Sequence, residues 1–238
     1  LDRAFEEAGY CVVRSPDPLW GGDIKSFHPS TGRFDGVIGG PPCKPFSQLI
    51  HMVKLNHERE PDKYHLAENL IPEFERVVRE AAPMWFLMEN VPNADDPFID
   101  GYFTHSFVLN NRWVIDTTPQ NRERRFWFGH RDKQIDLRSY IDFAVFEPLE
   151  FEYAVLANGS TKTRPVKLNS GGKPKKELTA KKTRSIQDVL ALQGLPEDFL
   201  SSSPFTAKGK REMIGNGVPL PMGRALAKAI SSVLESLQ

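Results

Sequence analysis

Cys43 stands in GGPPCKPFS, residues 39 to 47, behind two glycines and two prolines and just past the apolar run FDGVIGG. A cysteine that packs as a small hydrophobe belongs inside such a run, among large neighbours. One set beyond it on a turn is placed to present a thiolate as nucleophile. Cys11, inside CVV, reads as the buried kind. Glu89 closes the apolar stretch MWFLMENV, and burial favours the neutral form of a carboxyl there, which suits it to hold or give a proton. A lone Glu at a strand end also serves as a cap or a surface charge. Further on, QNRERRFWFG brings Arg122 and Arg124 to one face of a strand and Glu123 and Arg125 to the other. Alone, four such charges are a solvated edge; attached to FWFG they read as paired and partly buried. A zinc site from Cys43, His51, His57 and His65 lacks compact ligand spacing, and no metal is expected.

The elements that must carry these residues follow an α/β rhythm. LDRAFEEAGY reads as a helix stopped by Gly9, and CVV at 11 to 13 as a short strand. FDGVIGG ends a second strand at Gly39, and residues 44 to 60 read as a long surface loop. ENLIPEFERVVREAA keeps Leu70, Phe74, Val77 and Val78 on one helical face. MWFLMENV, WVIDTT and RRFWFGHR are strand candidates. TRSIQDVLALQGLPEDF returns to helix, IGNGVP reads as a glycine-punctuated turn, and PLPMGRALAKAISSVLESL as a final amphipathic helix. Strands alternating with crossover helices bind ligands beyond the carboxyl ends of the strands. Cys43 and Glu89 both fall at such ends.

The 238 residues suit one medium domain with a small appendage. Two cysteines give no pairing framework, and no apolar run reaches 18 residues, so a soluble, intracellular protein is expected; a monomer is expected, in the cytoplasm, nucleoid-associated if prokaryotic or phage-encoded. Net charge is zero, which argues against a binder of the histone kind. Its distribution is uneven. From Thr161 to Arg184 stand Lys162, Arg164, Lys167, Lys173, Lys175, Lys176, Lys181, Lys182 and Arg184 against the single acid Glu177. Such a stretch is either a solvated loop or a seat for a phosphate backbone.

Five segments in this order resemble the cytosine-5 DNA methyltransferase family: GGPPCKPFS, MENV, QNRERRFWFG, LALQGLPEDF and IGNGVPLPMGRALAKAI. The resemblance implies a Rossmann-like methyltransferase sheet with crossover helices plus a small irregular target-recognition lobe. It divides the chain into a catalytic core at 1–131, the lobe at 132–183, and a return to the core at 184–238. It implies methyl transfer from S-adenosylmethionine to carbon 5 of cytosine in double-stranded DNA, on a flipped base, as in restriction-modification. Cys43 would add to carbon 6, Glu89 would attend ring nitrogen 3, and Arg122 and Arg124 would complete the catalytic set. Lys44, Phe46, Ser47, Asn90, Val91 and Gln120 would meet the substrate, with Lys44 in place of the commoner Gln. The cofactor would be held by Asp17, Trp20, Asp23, Ile24, Pro41, Leu70, Asn216 and Val218, with Gly217 where the family has Ala or Ser. The family's opening strand and Phe-x-Gly-x-Gly-Gly turn precede the helix on which this sequence starts.

Other readings share parts of this pattern. A relative that methylates cytosine in transfer RNA would carry much of the same core, and an inactive DNA-binding relative could keep the fold. Pyrimidine synthases also add a cysteine to carbon 6, but their phosphate-binding arginine set is not identifiable here. The basic stretch generates a direct expectation. Neutralising Lys173, Lys175 and Lys176 together lowers the salt dependence of DNA binding by up to about three units of log–log slope; titrations at several salt concentrations measure it, and an unchanged slope marks a solvated loop.

Overall fold

β1 (Gly36–Gly39) and β2 (Trp85–Asn90) lie side by side in parallel, with Gly39 opposite Met88. In the computed structural model, which describes residues 1–14, 22–46, 50–63, 65–145, 150–155, 165–167 and 184–237, they belong to a unit formed by Val13–Val108 and Arg124–Leu137. Parallel neighbours need a crossover, and α3 (Ile71–Ala81) lies between them in sequence and packs on β1. The Asn69 side chain accepts from the Ile71 amide at the start of α3, and Ala82, at φ 49°, turns the chain out of it ahead of Pro83. Its apolar face, Ile71, Phe74, Val77, Val78 and Ala81, is buried. Every residue of β2 is buried, as befits a strand covered on both faces. β5 (Glu123–His130) runs antiparallel beside β2, and β3 (Phe103–Asn110) follows it, giving the order β1-β2-β5-β3. Phe86 lies across Gly129, its partner on β5, so closely that a Cβ there would stand 2.1 Å from the ring.

The other unit comprises Leu1–Val12, Leu109–Glu123 and Arg138–Gln238. Its α1 (Asp2–Glu7) packs on the long α6 (Leu220–Ser236), tied by Glu7 to Arg224 and by the hydroxyls of Tyr10 and Ser231. α4 (Ile186–Leu192) and α5 (Ala207–Asn216) pack around Val189, Leu190, Leu200 and Ile214. Ser185 and Asp188 close a reciprocal capping box at the start of α4. A small sheet joins β4 (Gln120–Asn121), β6 (Glu150–Tyr153) and β7 (Pro165–Lys167).

Several expectations are corrected. Residues 11 to 14 form no strand, since among the described residues no strand pairs with them, and Cys11 is exposed there. WVIDTT is not a strand: Asn111–Trp113 is a 3-10 turn, capped by the Asn110 side chain, and the strand lies earlier, at Phe103–Asn110. The expected loop at 44 to 60 contains α2 (Ile50–Arg59). Residues 214 to 216 end α5 rather than forming a turn. Arg184 is no part of a solvated basic run: it is buried, donating to the Tyr153 carbonyl and paired with Glu152 at 2.7 Å. Lys173, Lys175 and Lys176 lie outside the described residues, as does most of 156–183. Among the described residues, no helix is long and apolar enough to cross a membrane, and no group of three or more His, Cys, Asp or Glu could hold a metal ion.

His130, 3% exposed at the end of β5, accepts from the Asp132 amide through Nδ1. Burial pushes its imidazole below the usual histidine range, opposed by the nearby Asp132 carboxylate. The folded state therefore favours neutral His130, whereas the unfolded chain takes up a proton near the ordinary value of about 6.5. This contribution to stability is complete above that pH and is lost as the pH falls toward the folded-state value. Urea midpoints from pH 7.5 down to 5 should fall more steeply for the wild type than for His130→Asn; parallel curves would remove His130 as the cause.

Candidate active site

The two glycines ahead of Cys43 answer to different neighbours. A Cβ on Gly39 would stand 2.8 Å from the Phe74 ring of α3, and one on Gly40 would stand 2.9 Å from Glu89 Oε2. The chain leaving β1 thus passes close to a helix and to the carboxylate that ends β2, and a side chain at Gly39 would require the Phe74 ring to shift, one at Gly40 the Glu89 carboxylate. Pro41 follows, its carbonyl accepting from the Asn90 side chain at 3.1 Å, while Asn90 Oδ1 accepts from the Val91 amide. The Cys43 carbonyl accepts from the Phe46 amide, closing the 3-10 turn Lys44–Phe46. Phe46 and Val91 pack against the core of Phe74, Phe86, Met88 and Trp127. Cys43 is a free, half-buried thiol, and Lys44 beside it is exposed. The turn is anchored by Phe46, so the thiol stands at the rim of the core.

Glu89 is 8% exposed and its Oε1 lies 2.7 Å from Arg124 Nε. In the antiparallel ladder Glu89 faces Phe126, which makes Arg124 its diagonal neighbour. One carboxylate oxygen thus meets a guanidinium, and the other occupies the space that a side chain on Gly40 would need. Arg125 pairs instead with Asp96, whose Oδ1 also accepts from Trp127 Nε1, and it covers the Trp127 ring at 4.6 Å. That clamp fastens the segment after Asn90 to β5.

Of the residues expected to hold a cofactor, Asp17 and Trp20 lie outside the described residues, as does Ser47. Asp23 is exposed and caps the 3-10 turn Ile24–Ser26 by accepting from the Lys25 amide. Ile24, Pro41 and Leu70 are half-buried, Leu70 as the residue that precedes α3. An exposed carboxylate can accept from an exocyclic amine and half-buried apolar side chains suit the faces of a ring, so these residue types fit an amine-bearing heterocycle.

In the other unit, Gln120 and Arg122 are almost wholly buried. Gln120 accepts from the Val155 amide and donates to the Leu192 carbonyl. Arg122 lies between β4 and β5, so strand alternation does not run from it to Arg124. Its guanidinium donates to the carbonyls of Val155, Gly215 and Gly217 at 2.7, 2.8 and 3.0 Å. Gln193, missed in the sequence, joins the same knot by donating to the Ile214 carbonyl. Asn216 ends α5 exposed, and Val218 is half-buried.

The family model described as C-5 cytosine-specific DNA methylase matches residues 19–188. The type II methyltransferase M.MthTI of Methanothermobacter thermautotrophicus is 25% identical over 326 aligned residues, covering 100% of this chain and 95% of that protein. M1.ScrFI of Lactococcus lactis subsp. cremoris, also a type II methyltransferase, is 25% identical over 259 residues, with 84% of this chain and 63% of that protein covered. Among solved structures, the S. pombe Dnmt2 methyltransferase superposes with a TM-score of 0.57 at 14% identity over 99% of this chain and 95% of the other. At that identity the likeness is one of fold.

The clearance at Gly40 can be measured directly. Gly40→Ala should cost about 1–3 kcal/mol of stability, the usual penalty of overpacking, and much less in a Glu89→Ala background where the carboxylate is gone. Urea unfolding of the four proteins in this cycle gives the coupling; equal costs in both backgrounds would show that Glu89 does not bar the methyl group.

Proposed function

Because the chain belongs to the C-5 cytosine-specific DNA methylase family and has its Rossmann-like α/β methyltransferase fold, we propose that it methylates carbon 5 of cytosine in double-stranded DNA through a covalent adduct on Cys43. The observation that carries this reading is the placement of the Glu89 carboxylate, held by Arg124 at 2.7 Å, against Gly40 on the chain leading to Cys43. A nucleophile and a proton-holding group on one short path are what the reaction needs.

Carbon 5 of cytosine is a poor nucleophile until the ring is made enamine-like. The Cys43 thiolate forms a bond to carbon 6, and the electron pair of the 5,6 double bond moves into the ring toward nitrogen 3. Nitrogen 3 becomes more basic and draws the proton that Glu89 shares with it. Arg124 fixes one oxygen of Glu89, so the other faces the base without the carboxylate turning away. S-adenosylmethionine, when bound, supplies an electrophilic methyl group on a sulfonium. With the methyl group on carbon 5, the proton of that carbon leaves to a water molecule, its electron pair restores the 5,6 double bond as the Cys43–carbon 6 bond breaks, and the proton on nitrogen 3 returns to Glu89. Asp23 would accept from the adenine amine, with Ile24, Pro41 and Leu70 against the rings and Asp17 and Trp20 completing that set. Lys44, Phe46, Ser47, Asn90 and Val91 would seat the flipped base and its strand. Arg122 and Gln120 act by holding their own unit together. Of the expected catalytic set, Cys43, Glu89 and Arg124 keep roles at the reacting base.

Cys43→Ser should reduce methyl transfer to duplex DNA by about a thousandfold or more while leaving the urea midpoint and DNA affinity nearly unchanged, because the thiol is outside the core. Duplex bearing 5-fluorocytosine should trap the wild type as an adduct stable to denaturing electrophoresis, since the fluorine cannot leave as a proton does. A Cys43→Ser protein that still turns over would sink the covalent route, and labelling of transfer RNA but not duplex would overturn the DNA substrate.

A further inference from the structure

Arg76, in the middle of α3, divides its guanidinium between two kinds of partner. Along the helix, Nε donates to Glu73 at 2.8 Å and Nη1 to Glu80 at 2.9 Å. Such pairs at spacings of three and four are ordinary helix-surface contacts. Its contacts beyond the helix are not. Nη2 donates to the Ile24 carbonyl at 2.7 Å and Nη1 to the Phe27 carbonyl at 2.9 Å, and Nη1 also lies 3.4 Å from His28 Nδ1. These carbonyls bracket the short 3-10 turn that Asp23 caps.

That turn has little hold of its own. Its backbone bonds are Ser26 to Asp23 and Phe27 to Ile24, both 3.1 Å, and a single 3-10 turn is poorly cooperative. Lys25 reaches Glu68 at 2.7 Å, but both side chains are about half exposed, and exposed pairs of this kind contribute little. The Arg76 side chain is only 23% exposed, so its bonds to the two carbonyls are partly screened from water. Glu73 and Glu80 fix the plane of the guanidinium from either side along the helix. A planar fork with five donors can serve two carboxylates and two carbonyls together; an ammonium cannot.

We propose that Arg76 is the positioning residue for the Asp23 carboxylate, and that it thereby sets the preference of the protein for a ring carrying an exocyclic amine. The inference rests on the reading of Asp23 as the acceptor of that amine. Arg76 itself touches no ligand. It holds the turn whose cap presents the acceptor, and without it the turn keeps its local 3-10 bonds and exposed pairs such as Lys25–Glu68 and His28–Glu80.

The test compares wild type, Asp23→Ala, Arg76→Met, Arg76→Lys and the Asp23→Ala/Arg76→Met double variant. Titration calorimetry is run with S-adenosylhomocysteine and with its inosine counterpart, in which the ring amine is replaced by an oxygen. The wild type should prefer the adenosyl ligand by about tenfold or more, as for one hydrogen bond to a charged group. Asp23→Ala and Arg76→Met should each lose that preference, Arg76→Lys should recover only part of it, and the double variant should discriminate no worse than Asp23→Ala alone. Amide exchange at Ser26 and Phe27, read without any ligand, should quicken about tenfold in Arg76→Met. A wild type without preference, or an Asp23→Ala protein that keeps it, overturns the reading of Asp23. Full preference or unchanged exchange in Arg76→Met, with Asp23→Ala impaired, overturns the positioning role of Arg76.

Discussion

The parallel pairing of β1 with β2 is the constraint on which the candidate site depends. Parallel neighbours deliver their carboxyl ends to the same edge of a sheet, and with Gly39 opposite Met88 the next residue on each chain is Gly40 on one side and Glu89 on the other. Their adjacency is therefore a matter of register. A slip of one residue would turn the side chains of β2 to opposite faces and take the carboxylate away from the chain that leads to Cys43. What keeps the register is apolar: Phe74 of α3 fills the space at Gly39, and Phe86 and Met88 belong to the core that also includes Phe74. To this the reactive groups add the Glu89–Arg124 pair and the bond from Asn90 to Pro41.

How far the sequence could be read follows from how local each signal is. The amphipathic period of α3, the unbroken apolar run of β2 and the long α6 are properties of contiguous residues, and each was legible. So was the position of Cys43 past the end of β1, because the thiol follows a glycine–proline turn instead of lying inside the apolar run. The misread pieces are those whose state is decided elsewhere. CVV has the composition of a strand, but a strand needs neighbours, and among the described residues none pairs with 11 to 14 as a strand. The segment at 50 to 59 has weak amphipathic character, so its helix was not visible as a period.

Arginine was the least legible residue type, for a physical reason. Arg76 and Arg184 stand in charged stretches that resemble solvated surface, and Arg122, Arg124 and Arg125 read as partly buried only through the attached FWFG, yet each is half-buried or buried against carbonyls, carboxylates or rings whose identity the sequence does not give. A guanidinium can satisfy several acceptors from different segments at once. Which segments those are depends on tertiary contacts, which spacing along one chain does not encode. Arg122 and Arg124, two residues apart and equivalent by alternation, show the difference: the first binds three carbonyls and the second a carboxylate.

The carbonyls that Arg122 gathers come from two stretches about sixty residues apart, Val155 on one side and Gly215 and Gly217 on the other. A charged group 2% exposed cannot lose one of these stretches and keep the other without leaving donors unmatched in a dry interior. Local opening that frees one stretch therefore removes the reason for the other to stay. Segments that share no helix or strand are in this way made to come apart together, and the smallest unit of unfolding there is set by the reach of one side chain.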